Sequence, residues 1–166
     1  MKFENLLSDR GKDYFYIMHL SYNGSKRREL WNYAKENNII GLDASRIVRD
    51  DWTKVRHSAK RLLPDIWVRQ FDTFCSEMRR GDIVLALKGW DSLLGVAEIT
   101  QRHHIYNRQL SATEKFFDHI RQVKWIRKYE YDYRQILSKP LEGFNNTLSI
   151  VTRSSPRWSI LTNLTI

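Results

Sequence analysis

Dense apolar runs alternate with polar stretches along this chain, and the spacing inside each run predicts an element. Residues 1–13 read as a polar N-terminal lead-in and 14–166 as a single domain. Tyr14-Phe15-Tyr16-Ile17-Met18-His19-Leu20 is rich in β-formers and predicts a strand. Leu30, Trp31, Tyr33 and Ala34 recur at helical spacing up to the stop Asn37-Asn38, and Ile39-Ile40-Gly41-Leu42 follows as a short buried strand. Residues 46–61 are half charged and predict a loop with one helical turn. Beyond Pro64, the residues Trp67, Phe71, Phe74, Cys75 and Met78 form one face of a helix. Ile83 to Leu87, a turn at Lys88-Gly89-Trp90-Asp91-Ser92, and Leu93 to Thr100 make the clearest hairpin. After the polar stretch Gln101–Lys115, Phe116 to Ile126 predicts a strand. It sets Val123 and Trp125 on one face and Gln122 and Lys124 on the other. Residues 127–146 read as loop with a short helix around Tyr133–Leu137. Leu148–Val151 is the last strand, and Pro156–Leu164 a closing helical turn.

Six short strands with helices inserted early predict an α+β fold, a small, mostly antiparallel β-barrel with flanking helices. Strands and helices do not alternate regularly, which argues against a doubly wound parallel sheet. With 166 residues the chain is one ordinary domain, large enough for a core without staples. Its single cysteine, Cys75, excludes a disulfide framework and any multi-cysteine zinc site, and its place in an apolar stripe makes it a core thiol. No apolar run is long enough to span a membrane and the N-terminus is too polar for a signal peptide, so a cytoplasmic protein with no membrane partner is expected.

Charge changes the picture. Lys plus Arg number 28 against 19 Asp plus Glu, a formal net charge of +9. Residues 46–61 hold Arg46, Arg49, Lys54, Arg56, Lys60 and Arg61 against Asp50 and Asp51. Residues 101–134 hold Arg102, Arg108, Lys115, Arg121, Lys124, Arg127, Lys128 and Arg134 against Glu114, Asp118, Glu130 and Asp132. Two basic clusters beside many aromatics suit nucleic acid, because cations hold phosphates and aromatic faces stack on bases. The expected backbone contacts are Arg46, Arg49, Lys54, Lys88, Arg102, Arg108, Lys124, Arg127 and Lys128. Trp31, Trp67 and Trp125 fall at core spacing, whereas Trp52, Trp90 and Tyr106 fall in predicted loops.

Catalytic signatures are absent. The chain has no P-loop, no Gly-x-Gly-x-x-Gly, no carboxylate-x-Lys pair, no His-Glu-x-x-His and no Gly-x-Ser-x-Gly. His103-His104 are adjacent, and neighbouring strand residues point to opposite faces, so the pair is a poor joint ligand set. No enzyme activity, cofactor or metal is expected from the sequence.

Gly81-Asp82-Ile83-Val84-Leu85-Ala86-Leu87-Lys88-Gly89 followed by Leu94-Gly95-Val96-Ala97-Glu98-Ile99 resembles the core hairpin of EVE domains, members of the PUA-like superfamily with YTH and ASCH relatives. Val123-Lys124-Trp125-Ile126 is similar to a later YTH strand. Phe116-Phe117-Asp118-His119 with Asn145-Asn146-Thr147-Leu148 resembles the EVE-type domains that precede the motor subunit in McrBC-type restriction systems. The resemblance covers roughly residues 14–152. It implies a reader that flips a methylated base, in DNA more than RNA, into an aromatic cage, with motor and nuclease supplied by other domains or chains, or alternatively a free-standing PUA-like RNA-binding protein. Carried over by position, it implies a pocket of Ile39, Ile40, Leu42, Asp43 and Phe117, with Trp90 or Tyr106 as substitute walls.

Overall fold

A computed structural model describes residues 1–19, 26–42, 48, 50–89, 92–107, 117–131, 135–136 and 147–166. The elements are α1 (Phe3–Asp9), β1 (Tyr14–His19), α2 (Arg27–Asn37), β2 (Ile39–Leu42), α3 (Trp52–Ala59), α4 (Asp65–Asp72), a π-helical segment (Thr73–Glu77), β3 (Ile83–Lys88), β4 (Ser92–Ile99), β5 (Ile105–Tyr106), β6 (His119–Lys128), β7 (Gln135–Ile136), β8 (Leu148–Thr152) and α5 (Trp158–Thr162). The strands form one curled mixed sheet, a half-barrel, in the order β2-β6-β4-β3-β1-β8, with β5 added to β6 and β7 to β4. β1 and β3 run parallel; the other pairings are antiparallel. The expected α+β class with a mostly antiparallel sheet therefore holds.

β1 shows why its sequence does not alternate. Phe15 and Ile17 face a core closed by α1 and α5, with Leu6, Leu7, Leu161 and Leu164. Tyr16 and Met18 face a second core beneath α3 and α4, with Trp52, Phe71 and Phe74. A strand buried on both faces must be apolar throughout. A third cluster, under α2, joins Leu30, Trp31, Ala34, Ile39, Phe117 and Ile120. Trp31 stands edge-on to Trp125 at 5.0 Å, and its Nε1 donates to the Tyr129 carbonyl at 2.8 Å. Gly95 is required beneath this pair, since a Cβ there would lie 2.9 Å from both indoles and from the Arg127 carbonyl.

Several elements differ from expectation. The lead-in contains α1, because Phe3, Leu6 and Leu7 at i, i+3 and i+4 bury one face between polar neighbours. Residues 46–61 contain the two-turn helix α3, with Trp52 and Ala59 buried and Asp51 as N-cap, its side chain accepting from the Thr53 amide. The predicted 67–78 helix is α for its first part only, then widens into the π segment. The helix expected around Tyr133–Leu137 is overturned at Gln135–Ile136, which pair with Leu93 and Ser92 as β7; Tyr133 and Leu137 lie outside the described residues. Trp31 is fully buried as expected, while Trp67 and Trp125 are half-buried at core edges.

Candidate functional site

Among the described residues, those expected to line the pocket do not face one space. Ile39, Ile40, Leu42 and Phe117 are all buried. Consecutive strand residues point to opposite faces, so Ile39 joins the cluster under α2 while Ile40 and Leu42 join the one under α3 and α4. Phe117 lies across Gly41, where a Cβ would come within 2.3 Å of its ring. These four are core residues, and Phe117 is packing rather than a binding wall. Trp52, expected in a loop, is also buried: it stacks on Phe71 at 4.9 Å and its Nε1 donates to Asp72 at 2.9 Å. Tyr106 is half-buried, its ring 5.0 Å from that of His119. Asp43, Trp90, Arg46, Arg49 and Arg108 lie outside the described residues.

Among the described residues, the expected cations do not surround one mouth. Lys54, Arg102, Lys124, Arg127 and Lys128 are exposed and Lys88 is half-buried. At roughly 3.3 Å per residue, β6 carries Lys128 about 30 Å from His119. Arg127 and Lys128 lie beside Val96 and Gly95, near the hairpin end where Lys88 and Arg28 flank the Tyr131 ring at 4.0 and 5.3 Å. Lys54, on α3, and Arg102 lie at the other end. The two basic regions are separate, and only the register of β6, which the sequence does not carry, sets them apart.

Between the β6 start, β5 and the π segment lies a polar cluster that sequence patterning does not reveal. The π segment ends at Met78, so its last carbonyls lack helical partners. Arg121, fully buried on β6, supplies donors: its Nε reaches the Phe74 carbonyl at 2.6 Å and its Nη2 the Cys75 carbonyl at 3.3 Å. Its positive charge thus sits at the negative end of a helical dipole. Burial still lowers the Arg121 pKa.

The same Cys75 carbonyl accepts from His104 Nδ1 at 3.2 Å, while His104 Nε2 faces Asp51 Oδ1 at 3.1 Å. His119, fully buried, accepts from the Trp52 amide at Nε2 (3.0 Å) and therefore carries its proton on Nδ1, which donates to Asp118 Oδ1 at 2.9 Å. The two imidazoles stack with centroids 5.6 Å apart. Burial pushes His104 below its usual pKa against the opposing pull of Asp51. Burial alone would raise Asp51, but hydrogen bonds from Thr53 and the facing His104 outweigh it and hold the carboxyl below its usual range. Burial pushes the Cys75 thiol up, which makes it a poor nucleophile and agrees with a core thiol. One ligand atom each from Cys75, His104 and His119 lies within 4.8 Å of the others, so these residues could hold a metal ion. His103 is exposed, so only one member of the adjacent pair takes part.

No curated protein and no solved structure matches this chain. Residues 16–147, from β1 to the residue before β8, match a family described as a domain of unknown function (DUF8426). That match takes in β1 from Tyr16 onward and the other strands except β8, together with the Cys75, His104 and His119 cluster, and the chain belongs to the DUF8426 family.

Proposed function

We propose that this domain binds nucleic acid and reads a methylated base, in DNA, as the targeting module of a modification-dependent restriction system. The observation that carries the reading is the formal net charge of +9, with exposed Lys and Arg in two regions joined by β6. Such a surface releases counterions when it meets a phosphate backbone. The half-barrel is compatible with a PUA-like or EVE barrel, and on this reading that is its fold. The domain itself is not an enzyme in this scheme; a nucleotide-driven motor and a nuclease act from other domains or chains. Because Ile39, Ile40, Leu42 and Phe117 fill the core, the base-stacking surface falls to Tyr106, which is half-buried against His119.

The test is a panel of matched DNA and RNA oligonucleotides, unmodified and methylated on C or A, across a salt series. With about 4–6 phosphates neutralised, log K against log salt has a slope of roughly −4 to −5 on duplex DNA. Tyr106→Ala removes about 1–3 kcal/mol of stacking and with it the preference for the methylated strand. A slope near zero refutes nucleic-acid binding. Tighter binding of every RNA than of its DNA counterpart refutes the DNA assignment.

A further inference from the structure

We propose that Cys75, His104 and His119 bind a zinc ion, with three protein ligands and a fourth position beside Asp51. The three residues come from the π segment, the approach to β5 and the start of β6. The observation that carries the proposal is the matching arrangement of the two imidazoles. Each donates Nδ1–H to a fixed oxygen, His104 to the Cys75 carbonyl and His119 to the Asp118 carboxylate. Each therefore leaves Nε2 as the nitrogen without a hydrogen, His104's facing Asp51 and His119's facing the Trp52 amide beside it. Backing by a carboxylate or a backbone carbonyl is how metal-bound histidines are held in one tautomer and one orientation.

The surroundings of Nε2 point the same way. With Nδ1 committed to the Cys75 carbonyl, His104 Nε2 meets a carboxylate oxygen of Asp51 at 3.1 Å. A cation belongs between the two atoms, a proton added on Nε2 in the metal-free protein and the metal ion when it is bound. Around a zinc ion with bonds of about 2.0–2.3 Å, neighbouring tetrahedral ligand atoms stand roughly 3.3–3.7 Å apart. The present spread, within 4.8 Å, needs only a side-chain adjustment of about 1 Å to close. The Trp52 amide now occupying His119 Nε2 belongs to the first turn of α3, where amides lack intrahelical acceptors. On loading it gives up the imidazole and turns to the group in the fourth position.

Thiolate with imidazole is a borderline-soft donor set, suited to zinc and not to magnesium or calcium. Three protein ligands leave one position for solvent or an exogenous anion. The proposal is independent of the nucleic-acid reading, since none of the three ligands is among the expected phosphate contacts.

The experiment uses the full chain, stripped with a chelator and titrated separately with zinc chloride and cobalt chloride. Expected are one equivalent of zinc bound, a rise in melting temperature with zinc but not magnesium, and a thiolate-to-cobalt charge-transfer absorption. Cys75→Ala abolishes that absorption, and His104→Gln, outside the core clusters, weakens zinc by more than the roughly 10–100-fold that loss of an outer-shell partner costs. Asp118→Asn lies within that 10–100-fold range. His103→Ala, beside the site but exposed, binds as the parent does. Absence of stoichiometric zinc binding by the parent chain overturns the proposal whatever the variants do. So does cobalt absorption that persists in folded Cys75→Ala, or zinc affinity unchanged in folded His104→Gln.

Discussion

Phe117→Ala distinguishes a packing residue from a binding wall. The side chain is 5% exposed and belongs to the cluster of Leu30, Trp31, Ala34, Ile39 and Ile120. Truncating a buried Phe costs about 3–5 kcal/mol, the lost transfer energy plus the cavity left behind. At roughly 2–4 °C per kcal/mol for a domain of this size, the melting temperature falls by about 6–20 °C. A second substitution makes the reasoning sharper. A methyl at position 41 would stand 2.3 Å from Phe117 Cγ and 2.5 Å from its Cβ. The Cβ cannot swing away, since it is fixed to the backbone. Gly41→Ala alone therefore destabilises by about 1–3 kcal/mol through overpacking. Combined with Phe117→Ala, the same methyl no longer meets Cγ and the ring, although the Cβ contact stays, so the double variant is more stable than the sum of the singles predicts, by about 0.5 kcal/mol or more. Urea unfolding followed by far-ultraviolet circular dichroism measures all four corners of the cycle. A Phe117→Ala protein within about 1 kcal/mol of the parent, or strict additivity with Gly41→Ala, would falsify the core assignment.

Charge reversal of Arg127 and Lys128 shallows the salt slope by about one for each phosphate that is no longer neutralised, measured by anisotropy on duplex DNA; an unchanged slope takes that end of β6 out of the interface. Asp51→Ala in the metal-free protein removes the side-chain cap of α3 and lowers stability by about 0.5–2 kcal/mol, read by thermal unfolding; no change means that the Thr53 hydrogen bonds carry no net weight. Burial lowers the His19 pKa from 6.5, reinforced by the facing charges of Arg157 and Arg27 and opposed by a hydrogen bond with the Gly89 backbone. Its folded pKa lies below the unfolded value, so the unfolded chain takes up the proton first. Stability is accordingly lost as pH falls below 6.5 and unaffected by this group above it. His104 shifts in the same direction, so His19→Asn removes part of the acid slope in urea midpoints; an identical slope in the variant discards the assignment.

Elements with an unbroken apolar run or a regular apolar period were legible in the sequence. The β3–β4 hairpin, β1, α2 and β6 all stand where periodicity puts them, because burial on one or both faces dictated their composition. α1 and α3 were missed for a shared reason: each buries a narrow face, Phe3, Leu6 and Leu7 or Trp52 and Ala59, among charged neighbours. β5 and β7 are two residues each and carry no period. The polar cluster was invisible because Cys75, His104 and His119 lie 29 and 15 residues apart, and only the packing of the π segment against β6 unites them. Adjacent histidines are indeed poor joint ligands; one of them instead joins residues from two distant elements. Alternation along β2 separates Ile39 from Ile40, which the EVE resemblance places in one pocket.

The place of β1 in the sheet has a kinetic consequence. Its neighbours are β3, where Tyr16 meets Val84 (84 − 16 = 68 residues away), and β8, where Phe15 meets Val151 (151 − 15 = 136 residues away). Pairings at such separations form late, because loop-closure entropy is spent before any contact repays it. The β3–β4 hairpin is local and forms early, so it is the template on which β1 docks. During synthesis, Tyr14–His19 waits with both hydrogen-bonding edges bare until residues 83–88 have emerged, and with one edge bare until 148–152 follow. An apolar strand held open for that long is the segment through which a nascent chain aggregates. Slow translation across residues 88–148 therefore lengthens the vulnerable interval, and a chaperone that shields extended apolar segments has its natural target in β1.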